Sequence, residues 1–351
     1  MQRYSVEELI NKQDVVIVDV RSESEYLDDA IPGAYNMPIL NDTERAEIGY
    51  IYKQVDKELA KRKGLEIASP KLIQYYDFVL EKKQEGFKEV VFYCYRGGMR
   101  SQSVVNVLTT LGLKVGLLNG GYKDYRKYIL EQTPKQIERL EFIALQGLTG
   151  IGKTKILGLL KDQGCGVLDL EKLACNSGST FGNISHEGES TTQKRFETEL
   201  YFELEKIKEP IVFLECESRR IGKVSQPEVL YNKLQIAPRV LLSTSMSNRV
   251  EIIKTDYITG TPENKEKIEK AIASLNKGIG NEKVSELIGK IEIGEYDEVI
   301  EFLMRNYYDP LYQHSIDKRN DYIETIYFED YDEICQKLIE LKNKALEAIH
   351  E

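Results

Sequence analysis

The chain has 351 residues, of which 41% are hydrophobic and 30% are charged. This length and composition are typical of a soluble protein with two or three domains. No stretch approaches the about 18 apolar residues that span a bilayer, and residues 1–8 lack an apolar signal core. Five scattered cysteines and three histidines argue against a disulfide framework or a zinc site. We therefore expect a cytoplasmic protein with no membrane partner.

The net charge of -10 is distributed unevenly along the chain. Residues 1–50 carry -7 and residues 51–130 carry +7, whereas residues 251–351 carry the whole surplus of -10. The basic stretch could attract an anionic partner such as a nucleic acid despite the acidic total. An ordinary charged surface would give the same counts, so charge alone leaves both interpretations open.

The first part of the chain alternates predicted strands and helices. Strands are predicted at 14–20, 90–94 and 114–118; helices are predicted after Ser22, at about 42–62 and 70–84, after Ser101 and near 123–131. Such alternation predicts a parallel sheet covered on both faces, with the functional loops at the carboxyl ends of the strands. We expect this domain to span residues 1–133.

Residues 90–103, with the sequence VVFYCYRGGMRSQS, predict a strand, a tight loop and a helix capped by Ser101. A cysteine at such a turn faces the positive end of the helix, and the cations of Arg96 and Arg100 are close in sequence. Both features favour a thiolate. We therefore predict that Cys94 is a nucleophile and that Arg96 and Arg100 assist it. The alternative is that Cys94 is an ordinary buried cysteine.

A second α/β domain is predicted over residues 141–351, after a linker at 134–140. A predicted strand at 142–145 is followed by a G-x-x-x-x-G-K-T sequence and an apolar helix. The glycines let backbone N–H groups face a phosphate, the lysine supplies a positive charge, and the hydroxyl of Thr154 can hold Mg²⁺. The predicted phosphate-binding residues are Gly147, Thr149, Gly150, Gly152, Lys153 and Thr154.

Carboxylates end the next two predicted strands of this domain. Asp169 follows the second strand, and Glu215 and Glu217 end the third. We expect one of them to support Mg²⁺ through water, and their order in the chain does not choose between them. Arg219 and Arg220 lie in the basic loop after the third strand, where an anionic ligand would lie, and Arg219 is a candidate for supporting an anionic leaving group. The alternative is that both arginines are ordinary surface residues.

The rest of the second domain is predicted to be mostly helical. A fourth strand is predicted at 239–243 and an edge strand at 322–328. The region from about residue 246 is acidic and has helical patterns, ending in a helix from Tyr331 to about Ile349. The fold class is therefore α/β in both domains, with a helical C-terminal part.

The first domain resembles the rhodanese family. The resemblance rests on Asp19-Val-Arg21, Glu25-Tyr26, the Ile-Pro-Gly-Ala stretch at 31–34, the Cys94 loop and Gly120-Gly-Tyr122. It implies a parallel-sheet domain whose loop cysteine carries sulfur or selenium. The spacing from Cys94 to Arg100 is C-x5-R, which is also the signature of cysteine-dependent phosphatases. Those enzymes usually have histidine where this chain has Tyr93. The loop is longer than in many sulfur-carrying rhodaneses, which favours a larger, phosphorus-bearing donor.

The two domains together resemble the tRNA 2-selenouridine synthase family. The resembling stretches are 41–45 with Gly49, 94–101, 147–154, 169–174, 178–182 and 215–222. Tyr95 stands where the family usually has tryptophan, and Asn176-Ser177 stand where it usually has His-Arg. The second difference puts in doubt any role that the family assigns to that pair.

The resemblance implies replacement of sulfur by selenium at the wobble 2-thiouridine of tRNA. Geranyl diphosphate would first alkylate the sulfur, and selenium from selenophosphate would then be delivered through a Cys94 perselenide. The implied partners are tRNA and the enzyme that makes selenophosphate. The sequence leaves open whether the P-loop binds geranyl diphosphate, ATP or both. The alternatives are an ATP-dependent tRNA sulfurtransferase, a C-x5-R phosphatase and a nucleotide-regulated binding protein with an inert Cys94.

Overall fold

The computed structural model describes residues 1–176, 191–257, 262–319 and 321–350. The chain divides into two compact units, Met1–Gln132 and Thr133–Glu351. Within the described ranges, no helix is both long enough and apolar enough to cross a membrane.

The first unit is built on a five-stranded parallel sheet with the strand order β1-β5-β4-β2-β3. Its elements are β1 Gln2–Tyr4, α1 Val6–Ile10, β2 Val15–Asp19, α2 Glu23–Asp28, β3 Tyr35–Asn36, α3 Asp42–Gln54, α4 Lys57–Ala68, α5 Leu72–Gln84, β4 Glu89–Tyr93, α6 Met99–Thr110, β5 Val115–Leu118 and the start of α7 Gly121–Glu138. Every residue of β4 and β5 is buried, as expected for central parallel strands. The predicted parallel sheet is confirmed.

Two helix boundaries in this unit differ from the prediction. The helix expected at about 42–62 breaks after Val55, because the Asp56 side chain accepts a hydrogen bond from the Leu59 N–H at 2.7 Å and starts α4. The helix after the Cys94 loop begins at Met99 with Gly98 at its N-cap, so Ser101 lies inside the helix instead of capping it. The hydroxyl of Ser101 therefore points to another partner, described below.

The second unit contains a five-stranded parallel sheet with the order β12-β11-β6-β8-β7. Its elements are β6 Glu141–Gln146, α8 Lys153–Asp162, β7 Gly166–Leu168, α9 Leu170–Leu173, α10 Gln193–Lys206, β8 Ile211–Glu215, β9 Arg220–Ile221, β10 Val224–Ser225, α11 Glu228–Ile236, β11 Arg239–Ser243, α12 Met246–Tyr257, α13 Pro262–Ser274, α14 Asn276–Ile279, α15 Asn281–Glu292, α16 Tyr296–Leu303, a π-helical turn Met304–Tyr308, α17 Asp309–Asp317, β12 Tyr322–Tyr327 and α18 Tyr331–His350. The predicted edge strand is β12, and the region after residue 246 is mostly helical as expected. The antiparallel pair β9–β10 was not predicted.

The central strands of this sheet are buried on both faces. Phe142 and Ala144 of β6 pack in one apolar cluster, whereas Ile143 and Leu145 pack in another. Successive side chains of a strand point to opposite faces, so a strand covered by helices on both sides must be apolar throughout. This burial fixes the carboxyl end of β6, and the P-loop follows directly after it.

Candidate active site

Cys94 directly follows β4, and its side chain is buried beside the first turn of α6. The hydroxyl of Ser101 donates a hydrogen bond to Cys94 Sγ at 3.2 Å, and Sγ lies 3.9 Å from the carbonyl oxygen of Gly98. Because α6 begins at Met99, the sulfur lies near the positive end of the helix. A thiolate would accept the Ser101 hydrogen bond, so this geometry is suited to nucleophilic chemistry.

Backbone hydrogen bonds from the start of α7 hold the Cys94 loop in place. The Tyr122 N–H donates to the Cys94 carbonyl at 2.9 Å, and the Lys123 N–H donates to the Tyr95 carbonyl at 2.8 Å. A Cβ atom at Gly121 would lie 2.1 Å from the Cys94 carbonyl oxygen, and Gly121 has a φ of +61°. Only glycine fits this close approach of backbone to backbone, which explains the Gly120-Gly-Tyr122 stretch.

The two predicted arginine partners of Cys94 lie in different environments. Arg100 donates to the Glu25 carboxylate at 2.7 Å, and Arg45 contacts the same carboxylate at 2.9 Å. Burial would raise the pKa of Glu25, but the hydrogen bond and charge of Arg100, together with Arg45, lower it overall. Arg96 is exposed, and its guanidinium lies 5.8 Å from the Tyr95 ring centroid. The structure therefore holds Arg100 in place, and the catalytic roles of both arginines stay predictions.

The Asp19-Val-Arg21 stretch forms a buried ion pair behind the loop. Arg21 is 2% exposed and donates to Asp19 at 2.6 Å and to the Asp29 carbonyl at 2.7 Å. Its guanidinium also lies 3.9 Å from the ring centroid of Tyr122. A fully paired, buried arginine of this kind fixes the positions of the strand ends and of α7. Its role is therefore structural.

The P-loop of the second unit runs from β6 into α8. Gly150 and Gly152 have φ values of +76° and +79°, and Gly152 is the N-cap of α8. A Cβ atom at Gly147 would lie 2.6 Å from the Leu242 carbonyl oxygen, which cannot move away cheaply. The loop conformation therefore depends on glycine at these positions, as expected for a phosphate-binding turn before a helix.

A buried ion pair that the sequence motifs did not indicate anchors this loop. Arg249 is 4% exposed, and its Nε donates to the Thr149 carbonyl at 2.9 Å. The two Nη atoms donate to the Asp309 carboxylate at 2.9 and 2.5 Å. This bidentate pair connects α12 and α17 to the P-loop, so the helical region positions the phosphate site. No motif spacing marks two residues that are 60 positions apart.

A cavity of about 1320 Å³ opens next to the P-loop. Its lining includes Gly147 and Lys153 of the P-loop, Glu217 after β8, and Asn176. The cationic residues that line it outside the P-loop are Arg220, Arg239, Lys318 and Arg319. Of the two arginines predicted in the basic loop, Arg220 lines the cavity, whereas Arg219 is exposed and is not among the lining residues. A large cavity with this many cations suits an anionic ligand.

The three predicted carboxylates occupy distinct places. Asp169 caps α9 by accepting a hydrogen bond from the Lys172 N–H at 2.8 Å. Glu215 is fully buried and accepts from the Leu170 N–H at 3.1 Å. Glu217 lines the cavity with Lys153. The geometry favours Glu217 as the carboxylate that can reach a ligand, a choice that the sequence left open.

Glu171 is a further carboxylate close to Glu217, Asp169 and Lys153, and no sequence motif marked it as a site residue. Burial raises the pKa of Glu171 to about 8 against the attraction of Lys153, and Glu217 and Asp169 raise it further. Burial also raises the pKa of Glu217, although Lys153 and a hydrogen bond from Glu171 oppose this. Burial thus favours a neutral Glu171 that donates a hydrogen bond to Glu217 beside Lys153.

Glu171 should make the stability of the chain depend on pH. The pKa of Glu171 is higher in the folded chain than in the unfolded chain, so the folded chain holds this proton more tightly. The contribution of Glu171 to the free energy of unfolding is therefore complete below about pH 4.5. It is lost as the pH rises towards about 8, at up to about 1.4 kcal/mol per pH unit. We expect Glu171→Gln, which stays neutral, to reduce this loss. The measurement is the urea midpoint of the full chain at several pH values. Glu324→Gln, at an exposed position on β12, is the control, and an equal flattening in the control would contradict the assignment.

The donor set near Lys153 fits Mg²⁺. Mg²⁺ prefers oxygen ligands and is usually held by one or two carboxylates together with phosphate oxygens and water. The Thr154 hydroxyl and the Glu217 carboxylate are oxygen donors of this kind, but only Glu217 is among the residues that line the cavity, whereas Thr154 is exposed. The described residues contain no group of three or more His, Cys, Asp or Glu side chains that could hold a metal ion. In sites that bind Mg²⁺ together with a phosphate, phosphate oxygens and water usually supply the remaining ligands.

Comparisons with known proteins cover both units. A family profile described as the tRNA 2-selenouridine synthase AAA domain matches residues 140–345, and a rhodanese-like domain profile matches residues 3–128. A tRNA 2-selenouridine synthase from Bdellovibrio bacteriovorus is 31% identical, over 88% of this chain and 91% of the relative. The one from Nitrosomonas europaea is 32% identical, over 87% of this chain and 90% of the relative. This chain belongs to the tRNA 2-selenouridine synthase family.

The chain is also similar to a solved structure, the N-terminal domain of a protein from Clostridium difficile 630 that is described as a putative ATP/GTP binding protein. It is 42% identical, it covers 37% of this chain and 99% of the solved chain, and its TM-score is 0.36.

The positions where this family member departs from the expected synthase pattern lie in different surroundings. Tyr95 is 41% exposed beside the Cys94 loop. Asn176 lines the cavity of the second unit and packs against Gly222, where a Cβ atom would lie 2.5 Å from the Asn176 Nδ2 atom. Ser177 and the resembling stretch 178–182 lie outside the described residues. The structure therefore locates only the first residue of the Asn176-Ser177 pair.

Proposed function

We propose that this protein converts the wobble 2-thiouridine of tRNA to 2-selenouridine in two steps. Family membership supports this proposal most directly, because it extends over both the Cys94 loop and the P-loop cavity. The reaction needs both a chalcogen-handling thiol and a diphosphate site. The chain offers each of them in its own unit, and the protein acts in the cytoplasm, where its tRNA substrate is found.

The first step is alkylation of the 2-thiouridine sulfur by geranyl diphosphate in the P-loop cavity. The sulfur attacks the first carbon of the geranyl group, the carbon–oxygen bond to diphosphate breaks, and the base loses its N3 proton. Lys153, the N-terminus of α8 and the cations that line the cavity would stabilise the charge that develops on the departing diphosphate. Thr154 and Glu217 would hold Mg²⁺, which supplies further charge neutralisation at the same oxygens.

The second step is selenation at the Cys94 loop. Cys94 would carry selenium from selenophosphate as a perselenide, attack C2 of the geranylated base and expel geranylthiolate. Selenophosphate holds selenium at the selenide level. Cys94 would therefore first form a mixed disulfide with an added disulfide; the selenium of selenophosphate would displace that thiolate from Cys94 Sγ, and water would cleave the P–Se bond with release of phosphate. After the attack on C2, one thiol would cleave the S–Se bond to leave a mixed disulfide on Cys94, and a second thiol would reduce it to the free thiolate. Ser101, which donates to Sγ, would stabilise the free thiolate at the start and end of this cycle.

The tRNA must present its wobble base outside the anticodon stack for this chemistry. Enzymes that modify a base usually hold it unstacked in a pocket. The basic stretch 51–130, which carries +7, would contact the RNA backbone. The enzyme that makes selenophosphate is the proposed supplier of the second donor, and ATP has no role in this scheme.

Mass spectrometry of tRNA nucleosides tests the proposed function. Purified protein, geranyl diphosphate, Mg²⁺ and tRNA that contains 2-thiouridine should give S-geranyl-2-thiouridine. Addition of selenophosphate with a thiol–disulfide buffer should then give 2-selenouridine. Turnover that requires ATP and gives 2-thiouridine from uridine would instead support the sulfurtransferase alternative. A tRNA that lacks the 2-thio group is the control and should remain unchanged.

A further inference from the structure

The first unit contains an apolar groove of about 480 Å³, and neither step of the proposed function uses it. Its walls come from α3, α4, the start of α5 and the outer face of α6. The apolar residues that line it include Ile39, Ile48, Ala60, Leu65, Leu72 and Val107. Its volume lies within the range of about 300–1,000 Å³ that is typical of small-molecule sites. Leu65 is 67% exposed and Met99 is 60% exposed, so the groove is open to solvent.

The first turns of α6 contribute residues both to the groove and to the surroundings of the Cys94 thiol. Met99, Arg100, Gln102 and Ser103 line it, whereas Ser101, in the same turn, donates its hydrogen bond to Cys94 Sγ. Residues on one face of this helical turn thus line the groove, and Ser101 on the opposite face contacts the thiol. A ligand whose reacting carbon is at the thiol could place an attached chain in the groove.

The charges around the groove favour a neutral occupant. The charged side chains that line it are Lys61 and Arg100. Lys61 contacts Glu58 at 2.6 Å, and Arg100 contacts Glu25 at 2.7 Å, so each cation is already paired with a carboxylate. The P-loop cavity, by contrast, is lined by several cations. A diphosphate suits the second unit, and an uncharged hydrocarbon chain suits the groove.

We propose that this groove binds the ten-carbon geranyl chain of S-geranyl-2-thiouridine while C2 of the base is selenated at Cys94. This inference rests on the proposed function and adds a specificity site to its second step. Binding of the chain would hold the geranylthio leaving group beside the thiol and exclude water from it. It would also let the second step distinguish a geranylated base from an unmodified base.

The test compares selenation of two pre-alkylated anticodon stem-loop RNAs, one with S-geranyl- and one with S-methyl-2-thiouridine. We expect wild type to have a higher kcat/KM for the geranyl substrate. The double variant Leu65→Gln, Met99→Gln places amides at two exposed positions of the groove, so the fold should be retained. It should lower kcat/KM for the geranyl substrate by on the order of tenfold or more and leave the methyl substrate unchanged. Leu111→Gln, at the far end of α6 and 58% exposed, is the matched control.

A binding measurement separates this inference from the proposed function. Geranyl methyl sulfide should bind to the wild-type full chain in saturation-transfer NMR and bind at least tenfold more weakly to the double variant. If binding and its loss are seen but neither RNA is selenated, the groove is supported and the proposed second step fails. Equal losses for both RNAs, or unchanged sulfide binding in the variant, would overturn the inference. A dimer that the double variant dissociates would also overturn it, because the groove would then be an interface between copies.

Discussion

Replacement of Cys94 by alanine is expected to abolish formation of 2-selenouridine and to leave geranylation close to the wild-type rate. The reason is that the only atom removed is Sγ, which follows β4, accepts the Ser101 hydrogen bond and belongs to the first unit. Loss of a nucleophile from covalent catalysis typically lowers the rate by several orders of magnitude, so selenation should fall below detection. Liquid chromatography with mass spectrometry of digested tRNA measures both products in one sample.

Retained geranylation in the Cys94→Ala variant would show that the second unit is folded and active, and an unchanged urea midpoint would show the same for the first unit, which contains the substitution. Cys175→Ala is the matched control, because it removes a half-buried thiol from the second unit and should leave both steps intact. A Cys94→Ala variant that loses geranylation and selenation together would show that the two units do not divide the chemistry as proposed.

Replacement of Lys153 by alanine has the opposite expected effect. Lys153 lines the P-loop cavity at the start of α8, where a leaving diphosphate would gain negative charge. Removal of one preorganised group that stabilises such charge typically costs about 10²–10³ in kcat. We therefore expect geranylation to fall by that factor, while selenation of RNA that was geranylated beforehand continues at the wild-type rate. Single-turnover assays on the two substrates separate these effects.

Lys155→Ala is the matched control for the Lys153 variant. Lys155 is two residues further along the same helix, and its ammonium lies 3.9 Å from the ring centroid of Tyr331 and not in the lining of the cavity. Its loss changes the net charge equally but should leave geranylation within about twofold of wild type, because the Lys155 side chain does not line the cavity in which diphosphate would bind. If both variants lost geranylation equally, the loss would be caused by the change in net charge and not by removal of a specific contact between Lys153 and diphosphate.

Features that depend on neighbouring residues were predictable from the sequence. The strand β11, Arg239–Ser243, matches its predicted bounds because its three central residues, 240–242, are β-branched or apolar and are flanked by polar residues. The strand–loop–helix contexts of Cys94 and of the P-loop were predicted for the same reason, since glycine and the flanking apolar runs act locally. The predicted long helix at 42–62 failed because a single capping side chain, Asp56, outweighed a continuous helical pattern.

By itself, the sequence determined where the predicted nucleophile, Cys94, and the predicted phosphate-binding loop lie in the chain, because each is a short motif whose conformation is set by adjacent residues. Only the tertiary structure decided their surroundings. It paired Arg249 with Asp309, Arg100 with Glu25 and Glu171 with Glu217. It also assembled the apolar groove beside α6 from residues between positions 39 and 107. These arrangements join residues that are distant in the chain. Their contacts and pKa values depend on how the helices pack around each sheet, and no local sequence pattern predicts them.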